Sequence, residues 1–326
     1  MRGFSFIQKY SYIFLISALL TAFIGIYIRL IPLGIIFGSY PRLEGLCDTW
    51  FLLTQTELVA HNYPLYSWFY PSIGFPQGLE TVEMNPLLPF IAATILLLTG
   101  GLGTTTTISI ISFIPVICSI LLIPIAYFFG KMMYGTVAGY TAAALICIVP
   151  SIVSRTTLGY LDHHCLEILL SASFCFFFIR LIPFLFSRTM LVDTTEEAYF
   201  PSFLITMAIP SAITFCLGIL NVVTMMVFFA IVLIFLTIAI LFFEEQVPNK
   251  KILILVYFSI FLPAALILVI LSAFSQSLIV SSTFTLLALI LVGGGIWLWT
   301  ILSIQNFFQG FLSKSLYILS ILLLAG

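Results

Sequence analysis

Charged residues are scarce in this chain of 326 residues, because Asp, Glu, Lys and Arg together make up only 7% of it. Soluble domains carry about 25% charged residues, so the composition excludes a water-soluble globular protein. The net charge is −1 and no long basic run occurs, so we expect no nucleic-acid partner. Hydrophobic residues, by contrast, form 62% of the sequence. The chain is therefore interpreted as a membrane protein.

Paired cysteines are also missing. The six cysteines are scattered along the chain and never form a CxxC pair; they stand at positions 47, 118, 147, 165, 175 and 216. This spacing indicates neither a zinc knuckle nor a disulfide framework.

Long apolar runs are the dominant pattern and predict an all-α, multi-pass membrane protein. A membrane-spanning helix needs about 20 predominantly apolar residues. One apolar segment, 87–99, has only 13 residues, and we interpret it as re-entrant or interfacial. The remaining runs predict spans at 12–34, 107–129, 135–153, 166–186, 202–220, 222–243, 252–273 and 279–304, followed by a last run that starts near Leu316.

Basic residues are distributed unevenly between the predicted loops. With a cytoplasmic N-terminus and no crossing by 87–99, eight basic residues fall on the cytoplasmic side and two, Arg42 and Arg155, fall outside. Such an excess of Lys and Arg is typical of cytoplasmic loops. The cytoplasmic set is Arg2, Lys9, Lys131, Arg180, Arg188, Lys250, Lys251 and Lys314. We therefore expect a cell-membrane protein with two external loops, 35–106 and 154–165.

The last apolar run, from Leu316 to Gly326, has about half the length of a span. It predicts that residues 1–326 form the membrane domain of a longer protein, whose soluble C-terminal domain is absent from this sequence.

The second external loop contains the most unusual residues of the chain, in the stretch SRTTLGYLDHHC from 154 to 165. The carboxylate of Asp162 and the imidazole of His164 suit a divalent cation, and they are close enough in sequence to reach the same ion. His163 and Glu167 are either further contacts or groups that support these ligands. Ionisable groups at the edge of membrane spans are functional candidates by default. The alternative is an external loop whose polar groups are simply hydrated.

The first external loop offers a second candidate site. Asp48-Thr49-Trp50-Phe51 lies at its start, and the turn Tyr70-Pro71-Ser72-Ile73-Gly74-Phe75-Pro76 follows. The aromatic residues could equally form an interfacial belt.

In these two motifs the chain resembles the membrane part of oligosaccharyltransferase catalytic subunits, and it is most similar to the archaeal AglB type. The first motif is the Asp-x-Trp-Phe sequence at 48–51, and the second is Ser154-Arg155, Gly159 and Asp162-His163-His164. The resemblance implies the GT-C fold and an enzyme of protein N-glycosylation. It further implies transfer of a glycan from a dolichyl-phosphate-type lipid carrier to Asn in Asn-x-Ser/Thr.

The resemblance also implies roles for individual residues. Asp48 and Arg155 are expected to be catalytic, and a divalent cation, Mn2+ or Mg2+, is expected to be bound by Asp48, Asp162 and His164. Trp50 and Tyr70 are expected to contact the substrate. The family often has a further acid two residues before the Asp of the first motif; here that position is Leu46, and the nearest acid is Glu44.

Two other functions remain open from the residues alone. Another GT-C enzyme that moves a single sugar from a lipid phosphate would need the first acidic motif but not Asp162-x-His164. A transporter is the second alternative, although transport sites lie near the bilayer midplane, whereas these residues lie at the outer end of a span.

Overall fold

The computed structural model describes residues 11–38, 42–43, 47–70, 76–80, 86–100, 103–185, 204–242, 250–275 and 277–325. Two compact units divide the chain. The first contains residues 1–176 and 217–223, and the second contains residues 177–216 and 224–326.

The first unit is built from helices that follow each other closely. Its helices are α1 Ser11–Leu30, α2 Leu33–Ile36, α3 Cys47–Asn62, α4 Leu87–Thr99, α5 Thr104–Ile111, α6 Ile114–Tyr134, α7 Thr136–Ile148, α8 Pro150–Arg155 and the first part of α9 His163–Leu185. Strands β1 Phe69–Tyr70 and β2 Leu79–Glu80 pair antiparallel in a short hairpin. The end of α10 Ile209–Asn221 also belongs to this unit.

The second unit contains the rest of α9 and α10, preceded by a π-helical turn at Leu204–Ala208. A 3-10 turn at Val223–Met225 leads into α11 Met226–Phe242, which is followed by α12 Lys250–Phe274 and α13 Leu278–Ala325. Helix α13 packs against α11 and α12. Close packing of α12 on α13 depends on Gly294, where a Cβ atom would lie 3.1 Å from Cζ of Tyr257.

Six helical stretches among the described residues are long and apolar enough to cross a membrane, which confirms the predicted multi-pass, all-α fold class. They are Ser11–Ile36, Thr106–Tyr134, His163–Pro183, Val223–Phe242, Ile252–Phe274 and Leu278–Ile304. Helix α4 has the 13 residues that the sequence predicts, and it is followed by Gly100, whose φ is 70°.

The span predicted at 135–153 is wrong as a single helix. Helix α7 ends at Ile148, Val149 is extended with φ −60° and ψ 120°, and α8 begins at Pro150. A proline disfavours the helical conformation of the residue before it, which explains the break. The run of apolar residues continues across Pro150, so hydropathy does not reveal the interruption.

Two further predicted boundaries differ in the structure. The described part of the run 202–220 is a π-helical turn followed by α10, and its apolar helix Thr206–Asn221 is shorter than a span. The last two apolar runs, which were predicted to be separate, lie in the single helix α13.

One hydrophobic core joins the two predicted external loops. It includes Leu52 of α3, Leu96 of α4 and, from the segment after α8, the fully buried Leu158 and Leu161. The first loop is therefore a folded layer rather than an extended connection. Because both loops share this core, the beginning of α3 and the beginning of α9 are held in the same part of the first unit.

Helix α1 packs closely against α7, and Gly25 makes this approach possible. A Cβ atom at position 25 would lie 2.6 Å from the backbone oxygen of Cys147. We expect Gly25→Ala to destabilise the protein by about 1–3 kcal/mol, since overpacking forces the helices apart. Thermal unfolding in detergent measures the effect. Gly34→Ala is the matched control, because a Cβ atom at that position meets nothing within 4 Å. Equal melting temperatures for the two variants would contradict this account of the packing.

Candidate functional site

The segment between α8 and α9 is short and tightly held. The predicted loop 154–165 is shorter in the structure and covers residues 156–162, because α8 extends to Arg155 and α9 already begins at His163. Within the segment, the amide of Leu158 donates to the oxygen of Arg29 at 2.9 Å, and the amide of Gly159 donates to the oxygen of Ser112 at 3.1 Å. Gly159 has a φ of 80°, a conformation that glycine adopts without steric cost. These contacts fix the backbone that leads into Asp162.

Asp162 is the central residue of the site and is only 2% exposed. Its Oδ1 accepts a long hydrogen bond of 3.4 Å from the backbone N–H of His164, so the side chain caps the N-terminus of α9. Its Oδ2 accepts a hydrogen bond of 2.9 Å from Nη1 of Arg155. Burial by itself raises the pKa of Asp162, but His163, which lies against it, and the charge and N–H of His164 outweigh burial and lower it. The carboxylate is therefore ionised at neutral pH.

The two histidines lie side by side, with ring centroids 4.1 Å apart. Nδ1 of His164 lies 2.7 Å from Oε2 of Glu167, one turn further along α9. Nδ1 of His163 lies 2.8 Å from Oδ1 of Asp162 but is not aligned for a hydrogen bond and has no other partner. The backbone oxygen of His163 accepts a hydrogen bond of 3.0 Å from Nδ2 of Asn221. Glu167 therefore holds the imidazole of His164, whereas Asn221 holds the backbone of His163.

The donor atoms of this cluster suit a divalent cation. Among the residues that the structure describes, Asp162, His163 and His164 form a group whose potential ligand atoms all lie within 4.8 Å of each other. One carboxylate and two imidazoles are ligands that Mn2+, Zn2+ and related ions accept. The contact of Glu167 with His164 matches the common pattern in which a carboxylate orients a metal-binding imidazole.

Arg155 lies at the rim of the site, with 41% of its side chain exposed. Nη1 donates to the hydroxyl of Tyr160 at 2.8 Å as well as to Asp162. The guanidinium also lies over the Tyr160 ring, 5.6 Å from its centroid. Arginine has five N–H donors in a planar fork, and the described bonds come from Nη1. The group can therefore be anchored by Asp162 and still bind an external anion.

Asp48 lies in the first turn of α3 and is half-buried. It is close enough to act electrostatically on His163, although it is not a member of the compact group around Asp162. The structure thus brings the two predicted motifs near each other without placing all the predicted ligands in contact. Glu44 lies outside the described residues.

The two aromatic residues predicted to bind substrate have different surroundings. Trp50 is 45% exposed and accessible. Tyr70 is only 1% exposed and packs edge-on against Phe51 at 4.7 Å, and its hydroxyl lies 3.0 Å from that of Tyr66. Burial is the main reason that the pKa of Tyr70 is raised. The position of Tyr70 indicates that it supports the start of α3, while the turn residues 71–75 lie outside the described residues.

Two residues of the site were not identified from the sequence. Tyr160 lies inside the second motif, and its spacing of five residues from Arg155 was the only available signal. Asn221 is 58 residues from His163, with no pattern that links them.

The profile of the family described as "Oligosaccharyl transferase STT3, N-terminal" matches residues 36–325. A search of curated proteins by sequence found no match.

Three solved structures of the Archaeoglobus fulgidus oligosaccharyltransferase are similar to this chain. The structure tethered through a disulfide bond to an acceptor peptide with the NVT sequon has 25% identity and a TM-score of 0.75, and the match covers 98% of this chain and 38% of that one. The complex of AglB with an inhibitory peptide and a dolichol-phosphate has 23% identity and a TM-score of 0.74, covering 98% and 37%. The complex with Zn and sulfate has 24% identity and a TM-score of 0.73, covering 95% and 39%. The chain therefore spans less than two fifths of the length of these relatives.

Proposed function

This chain belongs to the oligosaccharyl transferase STT3 family, and we propose that the protein transfers an oligosaccharide from a dolichyl-phosphate-type lipid carrier to asparagine in Asn-x-Ser/Thr. The observation that carries the proposal is the buried, ionised Asp162, flanked by Arg155 and two histidines within reach of the charge on Asp48. The relatives support the choice of substrates, because one was solved with a dolichol-phosphate and another with an NVT peptide.

The acceptor is a poor nucleophile, since the lone pair of an amide nitrogen is delocalised into its carbonyl group. A carboxylate that accepts hydrogen bonds from the NH2 group can twist the amide and release this lone pair. Asp48 is the candidate for this role, because it is half-buried at the start of α3 and its charge acts on His163. As the new N–C bond forms, the C–O bond to the carrier phosphate breaks, its electron pair leaves with the phosphate oxygen, and the nitrogen loses a proton to water.

The leaving phosphate develops negative charge, which must be stabilised in the transition state. The exposed part of Arg155 is suited to a phosphate oxygen, because Asp162 and Tyr160 hold the guanidinium in place. A guanidinium matches the geometry of phosphate oxygens. Arg155 is therefore proposed to bind the carrier phosphate.

A divalent cation is the proposed cofactor, and Mn2+ or Mg2+ are the proposed ions. Asp162 and His164 would hold it, with Asp48 contributing from α3 and with His163 and Glu167 supporting these ligands. A relative solved in complex with Zn and sulfate supports a divalent cation. When bound, the ion would neutralise charge on the leaving phosphate. The unaligned Nδ1 of His163 beside Asp162 fits a cluster whose hydrogen bonds are incomplete without a cation.

The transfer reaction tests the proposed function directly. Membranes containing the full-length gene product are supplied with extracted lipid-linked oligosaccharide and a fluorescent Asn-x-Thr peptide. We expect a glycosylated peptide that depends on Mn2+ or Mg2+, and no product from a Gln-x-Thr control peptide. Transfer to a serine or threonine hydroxyl of both peptides would identify a different glycosyltransferase instead.

The protein is a multi-pass membrane protein, and we propose that its N-terminus is cytoplasmic and its site faces outward. Helix α6 supports this orientation. It starts just after Ser112, which contacts the site segment, and Lys131 lies in its last turn. The 21 residues of α6 place these ends about 30 Å apart, so Lys131 lies on the side opposite the site.

Single-cysteine labelling measures this orientation. In a background without other cysteines, we expect an impermeant maleimide added outside intact cells to label Ser154→Cys but not Lys131→Cys. Both positions are exposed, so both should react after the membrane is permeabilised. Labelling of position 131 from outside would reverse the topology.

A further inference from the structure

Arg29 is a buried cation at the end of the first membrane helix, and the sequence offered no role for it. Its side chain is only 1% exposed, and no described acidic residue pairs with it. A charged group inside a membrane segment costs free energy and therefore marks a functional candidate.

The hydrogen bonds of Arg29 connect three separate parts of the first unit. Nη1 donates to the oxygen of Gly25 at 2.8 Å and to the oxygen of Cys147 at 2.8 Å. The second contact lies at the C-terminal end of α7, where free carbonyl groups and the helix dipole favour a cation. Nε donates to Oγ1 of Thr156 at 2.8 Å, and Thr156 is the residue directly after Arg155.

The backbone of Arg29 adds a second connection to the same segment. Its carbonyl oxygen accepts from the amide of Leu158 at 2.9 Å. The Thr156 hydroxyl itself donates to the oxygen of Ile152 at 2.6 Å. Thr156 therefore connects Arg29 to α8 as well. Arg29 therefore holds the chain at two points between Arg155 and Asp162.

We propose that Arg29 is a positioning residue that anchors the segment 156–162 to α1 and to the end of α7, and thereby sets the positions of Arg155 and Asp162. The anchoring is independent of the proposed function, whereas its consequence for cation binding rests on the proposed cation site. Because Arg29 touches neither group directly, its effect passes through Thr156 and Leu158.

Thr156→Val tests the proposal with little change in side-chain volume. It removes the acceptor of Arg29 Nε, whereas Thr156→Ser keeps a hydroxyl. Thr141→Val on α7 is the matched control, because its hydroxyl bonds only one turn back, to Val137. Arg29→Lys is the second variant, since a lysine ammonium cannot reproduce the fork of the guanidinium.

Two measurements on the purified full-length protein separate the anchor from the site. We expect hydrogen–deuterium exchange of a peptide covering 156–165 to become about tenfold faster in Thr156→Val and Arg29→Lys, because local opening becomes easier. We expect the affinity for Mn2+, followed by electron paramagnetic resonance, to fall about tenfold in the same variants, as it does when groups that orient ligands are lost. Thr156→Ser and Thr141→Val should resemble the wild type in both measurements.

The outcomes distinguish the possible failures. Unchanged exchange in both Thr156→Val and Arg29→Lys would overturn the anchor. Faster exchange with unchanged Mn2+ affinity would overturn the positioning of the site. A wild-type protein that does not bind Mn2+ would refute the proposed cation site, and the exchange measurement would then decide the role of Arg29 alone.

Discussion

Replacing Asp162 with alanine is expected to lower the affinity for Mn2+ by at least about a hundredfold, which exceeds the usual effect of losing a group that merely supports a ligand. The substitution removes the proposed carboxylate ligand and leaves Arg155 and His163 beside an uncharged residue. It also removes the cap of α9, which contributes about 1 kcal/mol to stability. Titration followed by electron paramagnetic resonance measures the affinity.

Asp162→Asn separates these two effects. Asparagine still caps a helix but has lost the charge of the ligand. We expect Asn to restore the melting temperature without restoring the affinity for Mn2+. If Asp162→Asn bound Mn2+ as tightly as the wild type, Asp162 would act only as a helix cap.

The histidines should differ in the same titration. His164→Ala is expected to cause the larger loss, because Glu167 engages Nδ1 of His164 and so directs Nε2 away from that contact. Nδ1 of His163 instead faces Asp162, and its backbone is held by Asn221. If His163→Ala lowered the affinity for Mn2+ as much as His164→Ala, His163 would also be a ligand of the cation.

Asp48→Asn is expected to lower kcat/KM for the acceptor peptide by about a hundredfold to a thousandfold, the usual effect of losing one electrostatic contact to a transition state. The Asn side chain has nearly the same shape but cannot accept hydrogen bonds from the acceptor NH2 as a carboxylate does. The affinity for Mn2+ should fall only about tenfold, because Asp48 lies outside the compact group of ligand atoms. The transfer assay with the full-length protein gives kcat/KM, and electron paramagnetic resonance gives the affinity for Mn2+.

The concentration of Mn2+ distinguishes the two roles of Asp48. At saturating Mn2+ the cation site is filled, yet we expect kcat of Asp48→Asn to stay low because the acceptor amide is not activated. Thr54→Ala is the control on the same helix, since this residue is exposed and bonds only one turn back. Full recovery of kcat at high Mn2+ would show that Asp48 serves only as a cation ligand.

The sequence alone was sufficient to predict the fold class and the close grouping of Asp162, His163 and His164. Hydrophobicity along the chain is a local property, so the membrane spans at Ser11–Ile36 and Ile252–Phe274 could be read directly. The cluster of Asp162, His163 and His164 could also be predicted, because its members are adjacent in sequence and a helix start brings them together. The family resemblance rested on the same contiguous motifs.

The tertiary structure decided what depends on contacts between distant residues. Arg29 and Thr156 are separated by 127 positions, and Asn221 and His163 by 58, so no local pattern records their hydrogen bonds. The interruption at Pro150 is, by contrast, a local effect of proline on the residue before it, which hydropathy alone does not register. The proximity of Asp48 to His163 likewise follows from a core shared by Leu52, Leu158 and Leu161. Apolar character predicted that these leucines are buried, but only packing in three dimensions determined which residues they are buried against.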